Sequence, residues 1–391
     1  MMNSWQVRLG VLTCVVIFMS AGYTMLIPFL PMYLIKELGV DPADVKMWNG
    51  AIFSVTFFIG GCLAPLWGKM ADKYGKRLMG IRSAAGLALA YFLGSIVQSP
   101  EQMFIVRAIQ GLAAGLISVC FALASSFVPP SKIGVGLGII QTGLTLGNIA
   151  GPLIGGMLAT YFGMRASFVV ASCFLTMITL AFIFVIPEPE ADPKAKSQEE
   201  EQQGSILSRP AILECLILCC LVYMVILFIQ PIMTLYVGSL EGVDNVMLLS
   251  GLSFSLVGVA SAITAPIWGS FGQKKGFHIS LMMASFLAAI GNILAAMPRT
   301  FTLFCVCNFV YGLFFAGVVP SITSILATHT EKNERGRVYA YMFSFQQVGS
   351  VIGPLLGGLL ATYFPMQSVF YAAAFVLFGV SGYTYLKYYK K

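Results

Sequence analysis

The chain has 391 residues, of which 58% are hydrophobic and only 10% charged, against roughly 25% charged in a soluble domain. That composition excludes a soluble globular protein, and the net charge of +7 needs no nucleic-acid partner, because it is accounted for by Lys and Arg placed in the loops of one side. Spanning a hydrocarbon core takes about 20 apolar residues per helix, and twelve runs of that kind are predicted, near 9–35, 49–68, 79–98, 100–127, 134–162, 166–187, 211–238, 246–269, 277–297, 301–328, 337–364 and 367–386.

The first run follows Arg8 and is too long for the apolar region of a signal peptide, with no small-residue cleavage site behind it, so it is expected to remain as an anchor. It carries Gly22, Tyr23, Met25, Pro28 and Pro31. Between the second and third runs stands Gly68-Lys69-Met70-Ala71-Asp72-Lys73-Tyr74-Gly75-Lys76-Arg77. Its two glycines are expected to make a tight turn, with Asp72 pairing with Arg77 or with the positive end of a neighbouring helix. A cluster of this type can latch two halves together at one face and release when they rock.

The fourth run opens with Ser99-Pro100-Glu101-Gln102, which combines a capping serine, Pro at the first helical position and Gln three residues after the cap. Glu101 there reads as a partner of the helix dipole. Counted from that cap, Arg107 lies about 10 Å into a core of about 30 Å. A charge at that depth is a functional candidate by default, the competing reading being a structural tie to carbonyls of adjacent helices. Gln110 shares its face. In the fifth run Gly143, Gly147, Gly151 and Gly155 recur every fourth residue, with Pro152 among them and Gly156 beyond. Such a stripe lets another helix approach to backbone contact, and a proline that bends the helix suits a helix that rocks.

Residues 188–210, with Glu188, Glu190, Asp192 and Glu199-Glu200-Glu201 among Pro, Lys, Gln and Ser, cannot bury a core and are expected to be a flexible linker. Past it the chain repeats. Gly353-Pro354-Leu355-Leu356-Gly357-Gly358-Leu359-Leu360-Ala361-Thr362-Tyr363-Phe364 restates Gly151-Pro152-Leu153-Ile154-Gly155-Gly156-Met157-Leu158-Ala159-Thr160-Tyr161-Phe162; Ala265-Pro266-Ile267-Trp268-Gly269 restates Ala64-Pro65-Leu66-Trp67-Gly68; and Gly312 falls on Gly111. Gly349 continues the eleventh run's own stripe, and Gln273 stands where the first half has Asp72. A duplicated membrane half is the usual architecture of secondary transporters. The expected fold is therefore an all-α membrane protein of twelve transmembrane helices in two pseudo-symmetric six-helix bundles, 1–187 and 211–391.

With both termini inside, eighteen of the twenty-three Lys and Arg fall on the cytoplasmic side, while Lys36, Lys46, Arg165 and Arg299 face out. That asymmetry sets the expected orientation: a multi-pass protein of the cell membrane with cytoplasmic termini. The nine cysteines all lie in apolar runs and read as packing residues, neither bridged nor in metal-site spacing.

Gly68 to Arg77 resembles motif A of the major facilitator superfamily, Arg107-Ala108-Ile109-Gln110-Gly111 its motif B, and Gly147 through Gly156 its motif C, the antiporter signature. Gly22 with Pro28 and Pro31 is similar to the twelve-helix drug/proton antiporter subfamily. The resemblance covers the whole chain. It implies proton-coupled export of amphipathic or cationic small molecules by alternating access, with Arg107 and Gln110 in the coupling, motif A (Gly68, Asp72, Gly75, Lys76, Arg77) as the cytoplasmic gate, and Gly147, Gly151, Pro152, Gly155 and Gly156 as motif C. Because one chain holds a whole pathway, it is expected to work as a monomer in the lipid bilayer, with no cofactor beyond the proton gradient and no metal.

One departure stands out: no Asp or Glu sits at mid-depth. Glu214, about one turn inside the seventh run, is the best internal acid, with Asp72 and Glu101 as alternatives and an interfacial acid as its other reading. Cavity candidates on helices that face the other half are Tyr23, Met25, Gln141, Tyr223, Gln230, Tyr311 and Gln346, drawn from a chain with thirty Phe, sixteen Tyr and twenty Met. The same fold could instead serve as an exporter or flippase of a single metabolite or lipid-linked substrate. No Gly-x-x-x-x-Gly-Lys-Ser/Thr is present, so energy must come from a gradient. His278 and His329 sit at helix ends, which leaves an intramembrane enzyme without a site. A non-transporting scaffold would have no use for a gated latch.

Overall fold

The computed structural model describes residues 5–129, 132–189, 207, 209–331 and 334–389. Twelve spans cross it in chain order. In the first half they are Trp5–Thr24 continued by Leu30–Lys36, Val45–Tyr74, Lys76–Ile96, Pro100–Leu112 continued by Leu116–Phe127, Ile133–Tyr161 and Met164–Phe184. The second half has Pro210–Ile229 continued by Met233–Gly238, Val246–Lys275, Phe277–Ala295, Phe301–Phe315 continued by Val318–Thr328, Arg335–Tyr363 and Gln367–Tyr389. All twelve are apolar and long enough to cross a membrane. They form two six-helix bundles with matching helix partners: first on fifth and seventh on eleventh, third on sixth and ninth on twelfth.

The glycine stripes make those partnerships. A Cβ on Gly147 would sit 2.5 Å from the carbonyl oxygen of Ile17, and one on Gly353 would sit 2.6 Å from that of Met224, closer than any side chain allows. The stripe Gly143 to Gly155 thus packs inside its own half, against the first span; Gly349 to Gly357 do the same against the seventh. The stripes serve close packing within each half, and the face that meets the other half lies one residue on. Gly156 lies on the Met247 backbone and Gly358 on that of Lys46, while Gly50 lies against the carbonyl of Pro354 and Gly251 against that of Pro152.

Four spans read as unbroken in the sequence are broken. The first parts at Met25–Phe29, the fourth at Ala113–Gly115, the seventh at Gln230–Ile232 and the tenth at Ala316–Gly317. Each break leaves carbonyls that no helical N–H reaches. Two of these are taken by the opposite half: Thr234 Oγ1 donates to the Pro28 carbonyl at 2.7 Å and Asn49 Nδ2 to the Pro231 carbonyl at 2.6 Å.

These contacts gather at one end. The two halves meet through the second and eleventh and the fifth and eighth spans, with Lys46 Nζ on the Ala361 carbonyl (2.7 Å), Ser54 Oγ on that of Val351 (2.7 Å) and Ser255 Oγ on that of Ile149 (2.6 Å). All lie far from the chain termini. Toward the end that carries the termini the same four spans expose Leu66, Val135, Ile267 and Phe343, and Cβ atoms on Gly68, Gly134, Gly138 and Gly269 would meet nothing. The halves are closed at the far end and parted at the terminal end.

The fourth span starts as its sequence demands: Gln102 N donates to the capping Ser99 Oγ at 3.3 Å, and the Gln102 side chain reaches back one residue beyond the cap, its Oε1 accepting from Gln98 N at 2.8 Å. Motif A is not a loop with two glycine turns. The second span runs through Gly68 to Tyr74, and the turn rests on Gly75 alone, at φ 99°. Most of the expected linker, including Glu199 to Glu201, lies outside the described residues. Its first residue, Glu188, is fixed: the carboxylate accepts from Lys76 N and Arg77 N, both at 2.7 Å, at the N-terminus of the third span.

Candidate functional site

A cavity of about 710 Å³ lies between the halves, walled mainly by the broken first, fourth, seventh and tenth spans. That volume is in the range of drug-sized ligand sites. Tyr23, Gln141, Tyr223, Gln230, Tyr311 and Gln346 line it. Met25 does not: it is fully buried at the break of the first span, its backbone against Gly155. Its neighbours Thr24 and Leu26 face the cavity instead.

Among the described residues, Arg107 is the one charged side chain in the wall, and it is 4% exposed. Its Nη1 donates to Gln110 Oε1 at 3.1 Å, and Gln110 Nε2 donates to the Tyr91 hydroxyl at 3.4 Å. Its carbonyl accepts from Thr56 Oγ1 at 3.1 Å, and its guanidinium carbon lies 5.5 Å from the Phe53 ring centroid. Nε and Nη2 are buried with no protein acceptor. The reading of Arg107 as a tie to carbonyls of adjacent helices therefore does not describe its side chain, which bonds to an amide on its own helix.

A second arginine holds the segment in place. Gly115, at φ 115°, has a backbone that L side chains rarely adopt, and the break it makes leaves three carbonyls free of the ladder. Arg82 Nη1 donates to Leu112 O at 3.0 Å, Nη2 to Ala114 O at 2.7 Å, and Ser83 Oγ to Ala113 O. The guanidinium stacks on Trp67, 3.7 Å from its centroid. Sequence reading counts Arg82 among the loop cations of the cytoplasmic side; it is a helix-borne clamp on the segment that presents Arg107.

Glu214 is not at the cavity. It is mostly buried and paired with Lys387 of the twelfth span, near His278 and Tyr388, within the second half at the terminal end. Glu101 is in the first turn of its helix, away from the wall. Asp72 is exposed and makes no ion pair among the described residues. Arg77, its expected partner, instead donates through Nε to the Phe182 carbonyl at 2.9 Å and through Nη2 to that of Ile183. Lys76 Nζ donates to Ser126 Oγ at 2.8 Å. The carboxylate at the neighbouring helix start belongs to Glu188 rather than Asp72. On the second half, Arg209 and Glu334 form a two-pronged pair, Nη2 to Oε1 3.0 Å, and those hydrogen bonds and that charge push the guanidinium above its usual value.

The sequence reading passed over Tyr91, Asn148 and Asn308. Asn148 Oδ1 accepts from Ser20 Oγ at 2.7 Å, and Asn308 Nδ2 donates to the Ser253 carbonyl at 3.2 Å; all line the cavity or its wall. One signal could have found two of them. The offset that lays Gly111 on Gly312 also lays Arg107 on Asn308 and Tyr91 on Asn292.

A sequence profile of the Major Facilitator Superfamily matches residues 12–276 and 248–389. The chain is 32% identical over 366 residues to the uncharacterized MFS-type transporter YuxJ of Bacillus subtilis, covering 93% of each protein. It is also 32% identical over 380 residues to the multidrug resistance protein MdtG of Proteus mirabilis, covering 96% of this chain and 94% of that one. Among solved structures, a bacterial homologue of the human lysosomal transporter Spinster, inward-facing and occupied, superimposes with a TM-score of 0.80 at 12% identity over 97% and 95% of the two chains. The nucleoside transporter NupG gives 0.76 at 16% identity over 99% and 100%. At those identities the likeness is one of fold.

Proposed function

The chain belongs to the major facilitator superfamily, a transporter and not an enzyme, and from that premise we propose that it exports amphipathic small molecules by alternating access in exchange for protons. The observation that carries this reading is the central cavity of about 710 Å³ between halves closed at one end and parted at the other. The name of the MdtG relatives, multidrug resistance protein, supports drug-like cargo. The bias of Lys and Arg supports cytoplasmic termini, and in that orientation this conformation faces the cytoplasm.

Rocking about the cavity closes the terminal end and opens the far end. Asp72, exposed here, engages the opposing half when the terminal end closes, so motif A acts as a latch that is open in this state. Gly156 and Pro152 of motif C slide on the eighth span at the far end. Arg107, with Gln110, is the charge through which proton coupling acts, and Glu214 is removed from the cavity by its pairing with Lys387. One chain encloses the whole pathway and functions as a monomer in the bilayer.

The test is export from everted vesicles with an imposed proton gradient. Uphill export that collapses with the gradient is expected. Export indifferent to the gradient would discard proton coupling, and no export of any of several fluorescent amphiphiles would discard the efflux reading.

A further inference from the structure

The charge balance of the cavity wall is one-sided. Arg107 is 4% exposed, and among the described residues no Asp or Glu lines the cavity with it. A buried cation without a counter-charge is costly. Here only Nη1 has a partner, the neutral Oε1 of Gln110, while Nε and Nη2 have none. The rest of the wall is rings, aliphatic side chains, hydroxyls such as Ser20 and Thr56, and neutral amides such as Gln230, Asn148 and Asn308. Those dipoles can accept or donate to a polar cargo, but none can neutralise a charge.

From this balance we infer that the cargo is an amphipathic acid, an apolar body bearing one carboxylate or phosphate-type group that pairs with Arg107. The inference rests on the exporter reading of this cavity and names its substrate class. A guanidinium presents its donors as a planar fork that matches carboxylate and phosphate oxygens two at a time, and two of its nitrogens are uncommitted. The Phe53 ring covers one side of the group, and the aromatic wall beyond takes the apolar body. A cationic cargo would instead share a poorly screened space with a fixed cation and find no carboxylate. This departs from the cationic cargo that the family resemblance allows.

The test uses the full-length protein in nanodiscs and four probes with one apolar body: 2-naphthylacetate, 2-naphthyl phosphate, 2-naphthylacetamide and 2-(2-naphthyl)ethylamine, with binding read by calorimetry and export by vesicle efflux. At least one of the two acids binds about tenfold tighter than amide or amine. Arg107→Gln brings acid and amide within about twofold, and Arg107→Lys keeps part of the preference, because a point charge replaces the fork. Should Arg107→Gln not fold, Asn308→Asp places a carboxylate in the same wall without touching the arginine, and it weakens acid binding severalfold while improving the amine. An amine that binds best, or an acid preference unchanged in both Arg107→Gln and Asn308→Asp, overturns the inference and leaves the exporter reading standing. Binding of the acids that disappears when phosphatidylglycerol replaces part of the phosphatidylcholine assigns the anion site to a lipid headgroup and overturns a soluble cargo. Failure of all four probes to bind or be exported by folded protein counts against the exporter reading itself.

Discussion

The broken fourth span and its twin, the tenth, show what duplication preserved and what it released. Both halves break the helix soon after the same backbone position and must satisfy the same carbonyl, that of Leu112 in one and Leu313 in the other. In the first half it is Arg82 that donates, with Trp67 stacked on it. In the second, the equivalent tryptophan, Trp268, donates through Nε1 at 2.8 Å, and Thr264 Oγ1 joins at 2.9 Å. Where one wall holds Arg107, the other holds Asn308; where one rim holds Asp72, the other holds Gln273. Backbone contacts made by glycine were kept in register, because a Cβ there has no room in either half. Polar positions diverged, because a carbonyl can be satisfied by several donors while a charge is needed only once per pathway.

The largest effect should separate the two wall residues. Arg107→Ala is expected to lower gradient-driven export at least about a hundredfold, on the order of 2.7 kcal/mol or more, and Asn308→Ala only severalfold; equal losses would break the asymmetry. The glycine stripes should instead behave alike. Gly147→Val and Gly353→Val each force side-chain atoms into a carbonyl of the neighbouring span and should cost about 1–3 kcal/mol or more, read as lost monodisperse protein after extraction. A half that tolerates the substitution would show that its stripe is not in backbone contact.

The two clamps give a finer test. Arg82→Met copies the residue that the second half has at this offset, Met283, and leaves two carbonyls without their donor, at about 1–3 kcal/mol each. Trp268→Phe leaves Thr264 in place and should cost less, by thermal unfolding of the purified protein. Glu214→Gln should lower that midpoint too while leaving uphill export within about twofold of the unmodified protein, a factor corresponding to roughly 0.4 kcal/mol; collapse of uphill export alone would return Glu214 to the coupling mechanism. The smallest effect is expected at the open rim: Asp72→Asn should slow turnover a few-fold, under about 1 kcal/mol, without changing cargo affinity, and weakened affinity with intact turnover would refute the latch.

Much of the scaffold was legible because it is carried by local, periodic signals. The four-residue glycine spacing, the Ser99 cap and the twelve apolar runs each depend on residues within a turn or two. The repeat told which helices correspond, and it pointed to Asn308 had the offset been followed beyond the glycines. The site was less legible. Met25 was expected at the cavity as part of an unbroken first helix, yet the break after Thr24 places it in the packing with Gly155. Arg82 sits among loop cations in sequence and on a helix in space. Glu214 was the best acid by depth, but depth along the membrane does not say which neighbour a helix turns it toward, and that neighbour is Lys387, 173 residues on.

By itself the sequence determined the class, the number of spans, the duplication and the presence of one deep charge, since hydrocarbon thickness and the cost of burying an ion act on any chain regardless of its partners. Only the tertiary structure decided which end is closed, which carbonyls the broken helices give away, and that the described wall around Arg107 contains no carboxylate. Those are properties of helices placed against helices far apart in the chain, and a pattern that repeats every few residues carries no record of rotation about an axis or of what stands opposite.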